Sequence, residues 1–227
     1  GYSSAASDVY KRQVQTLWRL LPTADFWHRV GFSALRILTG FVLAVTVGLL
    51  LGACGARWRW FGTLVGPVMQ LIRAMPVASF VILALLWVSG KNLSVIVSFT
   101  HVLPVVYAGT VGGIADTDPA LLEMAKVYRL PLGKRLRYIW LPGMFPSFCE
   151  NCIAAMGMCW KSGVSAEVIG LPDHSVGDAL YRAKITISTP EVFAWTLVIV
   201  LLSATLSTLA AWALRRAKRA LCGEVEG

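Results

Sequence analysis

Apolar residues in this chain form long uninterrupted blocks instead of short alternating strands or one-sided helical stripes. A helix needs about 20 largely apolar residues to cross about 30 Å of hydrocarbon. Four blocks are free of Asp, Glu, Lys and Arg: residues 37–54, 74–90, 93–115 and 192–214. A fifth block, residues 143–165, contains Glu150 and Lys161 and must therefore face protein or water over part of its length.

Composition places the chain outside the soluble class. Of its 227 residues, 56% are hydrophobic and only 15% are charged, whereas a soluble domain carries about 25% charged residues. We therefore predict an all-α polytopic membrane bundle with about five transmembrane helices. A net charge of +9 would suggest nucleic acid in a soluble protein, but in a membrane protein the loops that hold the positive charge matter more than its sum.

Positive charge predicts the orientation of the spans. Three basic clusters fall on one side when five spans are threaded, and positive loops face the cytoplasm. The C-terminus is therefore predicted to be cytoplasmic. The clusters are Arg57 and Arg59; Lys126, Arg129, Lys134, Arg135 and Arg137; and Arg215, Arg216, Lys218 and Arg219.

The first 32 residues conflict with this orientation. They carry four positive charges on the side predicted to be outside, and the chain begins with Gly1 instead of Met. We therefore predict that a first span is missing and that residues 17–30 form an amphipathic interfacial segment. Residues 7–13 show no apolar periodicity and receive no function. The predicted organisation is an N-terminal segment 1–32, a permease domain 33–216 and a cytoplasmic tail 217–227.

The loop of residues 116–142 holds the clearest local signals. Asp118 followed by Pro119 is a helix start, because Asp is an N-cap acceptor and proline suits the first turn. Pro131 and Gly133 are expected to stop this helix. Its apolar face has the spacing i, i+3, i+4 and i+7, and comprises Leu121, Met124, Ala125 and Tyr128.

A second short helix is predicted before the next span. It has an apolar side and a basic side, and Pro142 is expected to end it. An apolar helical face outside the membrane needs either a partner protein or its own bundle to cover it, and geometry alone leaves both open. The apolar side is Leu136, Ile139 and Trp140, and the basic side is Lys134, Arg135 and Arg137.

The loop resembles the cytoplasmic signature of ABC-importer permeases, which reads Glu-Ala-Ala, three residues, Gly, nine residues, Ile-x-Leu-Pro. Met124 replaces the first Ala and Arg129 replaces the Gly, so Pro131 and Gly133 are expected to supply the tight turn slightly later. The matching residues are Glu123, Ala125, Ile139, Leu141 and Pro142.

The segment from Trp160 to Pro172, with Gly177 and residues 180–184 and 193–196, is similar to nitrate/sulfonate/taurine-type permeases. The resemblance implies a type I ABC importer permease fold and a bacterial plasma membrane location. It also implies a dimer that binds two cytoplasmic ATPase subunits through the loop and accepts solute from an extracytoplasmic binding protein. Glu123 would pair with a cationic group of the ATPase, and ATP would bind to that partner and not to this chain.

The remaining sequence contains no phosphate loop and no nucleophile–base pair, so we predict a transport subunit and not an enzyme. His28, His101 and His174 are far apart in sequence, and we predict no metal site. No cofactor is expected.

Several residues are candidates for the translocation path. Pro76 divides the second span, which makes either a cavity-facing break or simple curvature. Gly163 and Gly170 predict a broken helix between them, and Lys161, Ser162 and Glu167 are the other path candidates. A second hypothesis is an ion-coupled secondary transporter that uses Glu150 and Glu167 as intramembrane carboxylates.

Overall fold

The computed structural model describes residues 15–222, with side chains to residue 217. Every regular element in this part of the chain is helical, which confirms the all-α prediction. Residues 15–20 are helical and precede the labelled helices. These are α1 Ala24–Arg57, α2 Arg59–Ala74, α3 Val77–Ala84, α4 Gly90–Ala115, α5 Pro119–Val127, α6 Leu132–Arg135, a π-helix Leu136–Trp140, α7 Leu141–Gly170, α8 Val176–Ile185 and α9 Thr189–Cys222.

The N-terminal prediction is partly wrong. Residues 7–13 lie outside the described residues. Residues 17–30 do not form one amphipathic segment, because a turn at residues 21–22 separates the first short helical stretch from α1. Residues 24–30 are instead the start of the 34-residue helix α1.

Three described helices are long and apolar enough to cross a membrane: α1, α4 and α9 over Thr189–Ala217. Helices α2 and α3 count as a fourth if they form one span, because together they are long and apolar enough to cross a membrane. The two helices are bent by 100° relative to each other. Helix α7 has the length for a span, at 30 residues, but is not among the sufficiently apolar helices.

The apolar block at residues 74–90 is divided at Pro76, as the sequence predicts. Helix α2 ends at Ala74, and the eight-residue α3 begins after Pro76. Met75 has an extended backbone with φ −69° and ψ 129°. A proline disfavours the helical conformation of the residue before it, so Pro76 explains the end of α2. Pro76 therefore produces a sharp break and not simple curvature.

Helix α7 is continuous where the sequence predicts two interruptions. Pro142 does not end the preceding helix, because Leu136–Trp140 is a π-helix in which the Leu141 N–H donates to the Leu136 carbonyl. This wider turn precedes the proline, which has no N–H to donate. The helix is also unbroken between Gly163 and Gly170, where it ends, and each of these glycines allows a close approach. A Cβ on Gly163 would lie 2.6 Å from Ile37 Cγ1, and one on Gly170 2.7 Å from Leu93 Cδ2.

The chain divides into two compact units. The described part of the first unit comprises residues 15–41, 76–99 and 159–205, and that of the second comprises residues 42–75, 100–158 and 206–222. A buried apolar cluster lies within the first unit, where α3, α4 and α7 meet. Its members are Val81, Ala84, Leu93, Val97 and Ala166.

Glycines let α1 and α4 pack closely within the second unit. A Cβ on Gly48 would lie 2.8 Å from Val106 Cγ1, and one on Gly52 would lie 2.6 Å from Thr110 Cβ. The Thr110 hydroxyl donates to the Val106 carbonyl at 2.8 Å, so its polar group is satisfied within α4. Small residues four apart are typical of membrane helices that pack by van der Waals contact.

We expect Gly52→Ala to destabilise the protein, because the added methyl group overlaps Thr110. The expected cost is about 1–3 kcal/mol, typical of overpacking, and thermal unfolding of the purified chain in detergent measures it. Gly31→Ala in the same helix is the control, since a Cβ there meets nothing within 4 Å. Equal unfolding temperatures for the two variants would contradict the proposed packing role.

Candidate functional site

Helix α5 begins where the sequence predicts. Asp118 is its N-cap, and the Asp118 carboxylate accepts a hydrogen bond from the Ala120 N–H at 2.8 Å. Pro119 occupies the first turn. The helix is thus started by two local residues, independently of the rest of the fold.

The end of α5 differs from the prediction. Arg129 has φ 47°, a left-handed conformation that favours glycine. The Leu130 N–H donates to the Ala125 carbonyl at 3.0 Å, and the Arg129 N–H donates to the Lys126 carbonyl at 3.1 Å. This pair of bonds is the Schellman motif. The turn therefore occurs at Arg129 itself, where the resembling signature has Gly, and not later at Pro131 and Gly133.

The predicted apolar face of α5 is divided between two environments. Ala125 is fully buried, and Arg135 donates to its carbonyl at 3.0 Å, which ties α5 to the following helical segment. The other three residues of the face are exposed, with Leu121 at 42%, Met124 at 43% and Tyr128 at 73%. Outside this face, Glu123 and Gly133 are exposed as well.

Beyond α5, the loop continues helically into α7. Ile139 is buried, whereas Leu141 and Pro142 are half-buried. The residues that match the signature therefore divide into an exposed portion around Glu123 and a partly buried portion at residues 139–142. The loop is thus held to its own unit by buried residues and hydrogen bonds, and part of its apolar surface is exposed.

A buried polar network in the first unit surrounds Glu167. Glu167 is fully buried, and its Oε2 accepts from the Ser33 hydroxyl at 2.7 Å and from the Gly177 N–H at 3.3 Å. The Ser33 oxygen in turn accepts from the Val176 N–H at 2.9 Å. Two of the orphan N–H groups at the start of α8 are thus bound by side chains of α1 and α7. The network joins three helices through one carboxylate and one hydroxyl.

Gly177 makes this network possible. A Cβ there would lie 2.4 Å from Glu167 Cβ, so only glycine allows the α8 backbone to reach the carboxylate. Ser175 caps the same helix by accepting from the Asp178 N–H at 2.9 Å.

An ion-pair network extends from the same helix. Asp178 is buried and accepts from Arg29 at 3.1 Å and from Arg182 at 2.8 Å. The hydrogen bond from Arg182 to Asp178 raises the pKa of Arg182, which therefore stays cationic. Arg29 also pairs with Asp25 at 2.7 Å. Sequence reasoning missed these contacts because Ser33 is 134 residues from Glu167 and Arg29 is 149 residues from Asp178.

The other predicted path residues lie in different environments. Ser162 is buried, but Lys161 on the same helix is exposed. Pro76 lies at the break between α2 and α3. Glu150 is exposed and Glu167 is buried beside Ser33, so the two carboxylates of the secondary-transporter hypothesis differ in environment.

The fold brings two of the three histidines close together. His28 and His174 are far apart in sequence, yet their ring centroids lie 5.6 Å apart. Among the described residues there is no group of three His, Cys, Asp or Glu side chains arranged to hold a metal ion.

Comparison with known families decides the class. Residues 37–221 match the family described as "Binding-protein-dependent transport system inner membrane component". The chain belongs to this family of membrane permeases. The match runs from the middle of α1 to Leu221 in α9 and includes the 116–142 loop and, from the Glu167 network, Glu167, Val176 and Gly177 but not Ser33.

Curated relatives of this permease carry transport names. The chain is 26% identical over 180 residues to a protein of Escherichia coli (strain K12) named as an aliphatic sulfonates transport permease. The match covers 79% of this chain and 68% of that protein. The chain is 25% identical over 183 residues to the Bacillus subtilis (strain 168) protein assigned the same name, covering 80% and 66%. The nitrate import permease protein of Synechococcus elongatus is 25% identical over 189 residues, covering 81% and 67%. The chain thus spans about two thirds of the length of these relatives.

Solved ABC transporters share the fold of this permease. The match to an inward-facing MetNI methionine ABC transporter has a TM-score of 0.58 at 15% identity, covering 86% of this chain and 93% of that chain. The match to an amino acid ABC transporter with histidines has a TM-score of 0.54 at 21% identity, covering 88% and 100%. These likenesses confirm the predicted importer permease fold.

We expect Ser33→Ala to destabilise the permease. The change removes a donor to buried Glu167 and the acceptor of the Val176 N–H, and an unsatisfied buried group costs about 1–3 kcal/mol. Thermal unfolding in detergent measures the loss. Ser165→Ala is the control, because the Ser165 hydroxyl is exposed and donates only to the Lys161 carbonyl of its own helix. Equal stability of the two variants would show that the network does not hold α8.

Proposed function

We propose that this chain is the transmembrane permease subunit of an ATP-driven ABC importer, which forms the path for a small solute. It acts as a homodimer, binds two cytoplasmic ATPase subunits through the 116–142 loop and receives solute from an extracytoplasmic binding protein. The observation that carries the proposal is the family match over residues 37–221 combined with the exposed apolar face beside Glu123.

The exposed face of α5 supports ATPase docking. Leu121, Met124 and Tyr128 leave an apolar surface uncovered on a nine-residue helix. Exposed apolar residues grouped on one surface mark interaction sites. Glu123 adds one negative charge to this surface, which suits a cationic group of a partner. A docked partner would cover the apolar side chains that the permease itself leaves exposed.

Charge distribution supports the orientation. The three basic clusters, at residues 57–59, 126–137 and 215–219, all belong to the second compact unit. The loops proposed to be outside, residues 89–92 and 171–189, belong to the first. This grouping supports a multi-pass protein of the bacterial plasma membrane with its C-terminal tail 217–227 in the cytoplasm and residues 33–216 as the permease domain.

The local structure supports the proposed coupling. Closure of the ATPases on ATP would displace α5. After the turn at residues 128–131, where Arg135 donates to the Ala125 carbonyl, the chain is helical from Leu132 into α7. Movement of α5 is thereby passed to a long helix, as in a rigid-body alternation between inward and outward openings. ATP binding and hydrolysis belong to the partner, and the permease needs no cofactor for this step.

The names of the relatives indicate several small solutes and no single one. The relatives are named for aliphatic sulfonates, taurine, nitrate and bicarbonate. The path-lining role of Pro76, Lys161, Ser162 and Glu167 stays a prediction.

We expect Glu123→Arg to abolish association with the ATPase while leaving membrane insertion unchanged. The substitution reverses a charge on the exposed helix α5 and removes no buried contact. Co-purification of the encoded ATPase with the tagged permease measures the effect, and at least a tenfold loss is expected.

Glu191→Arg is the matched control, because Glu191 is an exposed acidic residue in the first turn of α9. A cut between Asp118 and Pro131 is expected to have the same effect as Glu123→Arg. Undiminished co-purification of the ATPase with the Glu123→Arg protein would rule out the coupling assignment.

A further inference from the structure

A cavity of about 390 Å³ lies between α2 and α4, and all its lining residues belong to the second unit. Its α2 wall includes Gly66, Gln70 and Arg73, which recur at helical spacing and share one face of that helix. Its α4 wall includes Tyr107 and Gly112. The volume lies within the range of small-molecule sites in proteins. Arg73, in the α2 wall, lies three residues before Pro76 in the sequence.

Arg73 gives this cavity a positive charge. It is exposed at the wall, and it takes part in none of the ion pairs described above, which Arg29 and Arg182 form. Gln70, one turn earlier on the same face, adds an amide group that can donate hydrogen bonds. An ionisable group within a membrane domain is costly and marks a substrate path by default. The cation therefore lacks a protein counter-ion where a ligand can reach it.

Two glycines keep the cavity open. A Cβ on Gly66 or on Gly112 would meet nothing within 4 Å. They differ in this from Gly48 and Gly52, where a Cβ would overlap a neighbouring helix. A larger side chain at position 66 or 112 would therefore extend into the free space between α2 and α4.

The remaining wall is apolar. Tyr107 lines the cavity, and its hydroxyl oxygen lies beside α1, 2.9 Å from the position of a Cβ on Gly55. The part of Tyr107 that is left to face the cavity is its ring. Met69 and Val111 are further lining residues. A guanidinium fork beside an amide donor matches the paired oxygens of a carboxylate, a sulfonate or a nitrate. The apolar wall accommodates a short organic group attached to such an anion.

We propose that this cavity is a subsite of the translocation path for a small oxyanion, bound by the Arg73 guanidinium and the Gln70 amide. The inference rests on the proposed importer function and adds to it the residues that recognise the solute and the charge of the solute. Arg73 was not among the residues that sequence analysis placed on the path.

The test uses the full chain purified in uncharged detergent, with ethanesulfonate, nitrate and acetate as probes and chloride at equal concentration as the reference. Thermal unfolding of the wild-type protein should shift upward with at least one probe beyond the shift in chloride. Arg73→Gln should weaken the apparent affinity at least tenfold, and Arg73→Lys should retain part of it. Gly112→Leu should abolish the response by filling the space.

Matched controls separate binding from folding. Arg59→Gln removes an exposed arginine from the other end of α2, and Gly31→Leu adds a side chain to α1 where a Cβ meets nothing within 4 Å. Both variants should respond like the wild type. The proposal is overturned if no probe exceeds chloride, or if Arg73→Gln responds like the wild type.

A second arm tests whether Arg73 binds lipid instead. A shift that appears with phosphatidylglycerol but with none of the soluble anions would assign Arg73 to a lipid headgroup and overturn the proposal. Association of the permease with its ATPase is measured separately in the same preparations. Loss of that association in the wild type would count against the importer function, whereas anion binding tests the subsite alone.

Discussion

Close approach of α1 and α4 through glycine is the contact on which the helical packing depends. In the first unit, a Cβ on Gly40 would lie 2.5 Å from the Val95 carbonyl oxygen. In the second unit, Gly48 and Gly52 meet Val106 and Thr110 at similarly short range. Lipid tails are as apolar as leucine, so membrane helices gain little from hydrophobic burial and associate through van der Waals contact. Each glycine brings backbone surfaces close enough for that contact.

The polar groups are placed where they fasten irregular segments. Glu167 and Ser33 bind the first N–H groups of α8, and Asp178 connects that helix to Arg29. Helix α8 is only ten residues long and follows a loop in which Leu171 and His174 have positive φ. A short helix after a strained loop has little packing area of its own. Hydrogen bonds from side chains of longer helices therefore hold it.

The 116–142 loop combines a rigid seat with an uncovered surface. The Schellman turn at Arg129 and the bond from Arg135 to the Ala125 carbonyl hold α5 against its own unit. The side chains on the rest of its surface remain exposed. A docking helix must meet both conditions, because a loose helix would absorb the displacement that a partner imposes. The π-helix before α7 has a related effect, since it lets Pro142 sit inside a continuous helical run.

Local residues and composition determined much of this protein. Blocks of apolar residues determined α1, α4 and α9, and Asp118 with Pro119 determined the start of α5, because hydrophobic length and capping act over a few residues. The spacing from Glu123 to Pro142 was sufficient to indicate the permease class. Tertiary structure decided what depends on distant neighbours: the bend of 100° at Pro76, the continuity of α7 through Gly163, and the meeting of Glu167 with Ser33. A glycine or proline permits several backbone outcomes, and the helix that packs against it selects one of them.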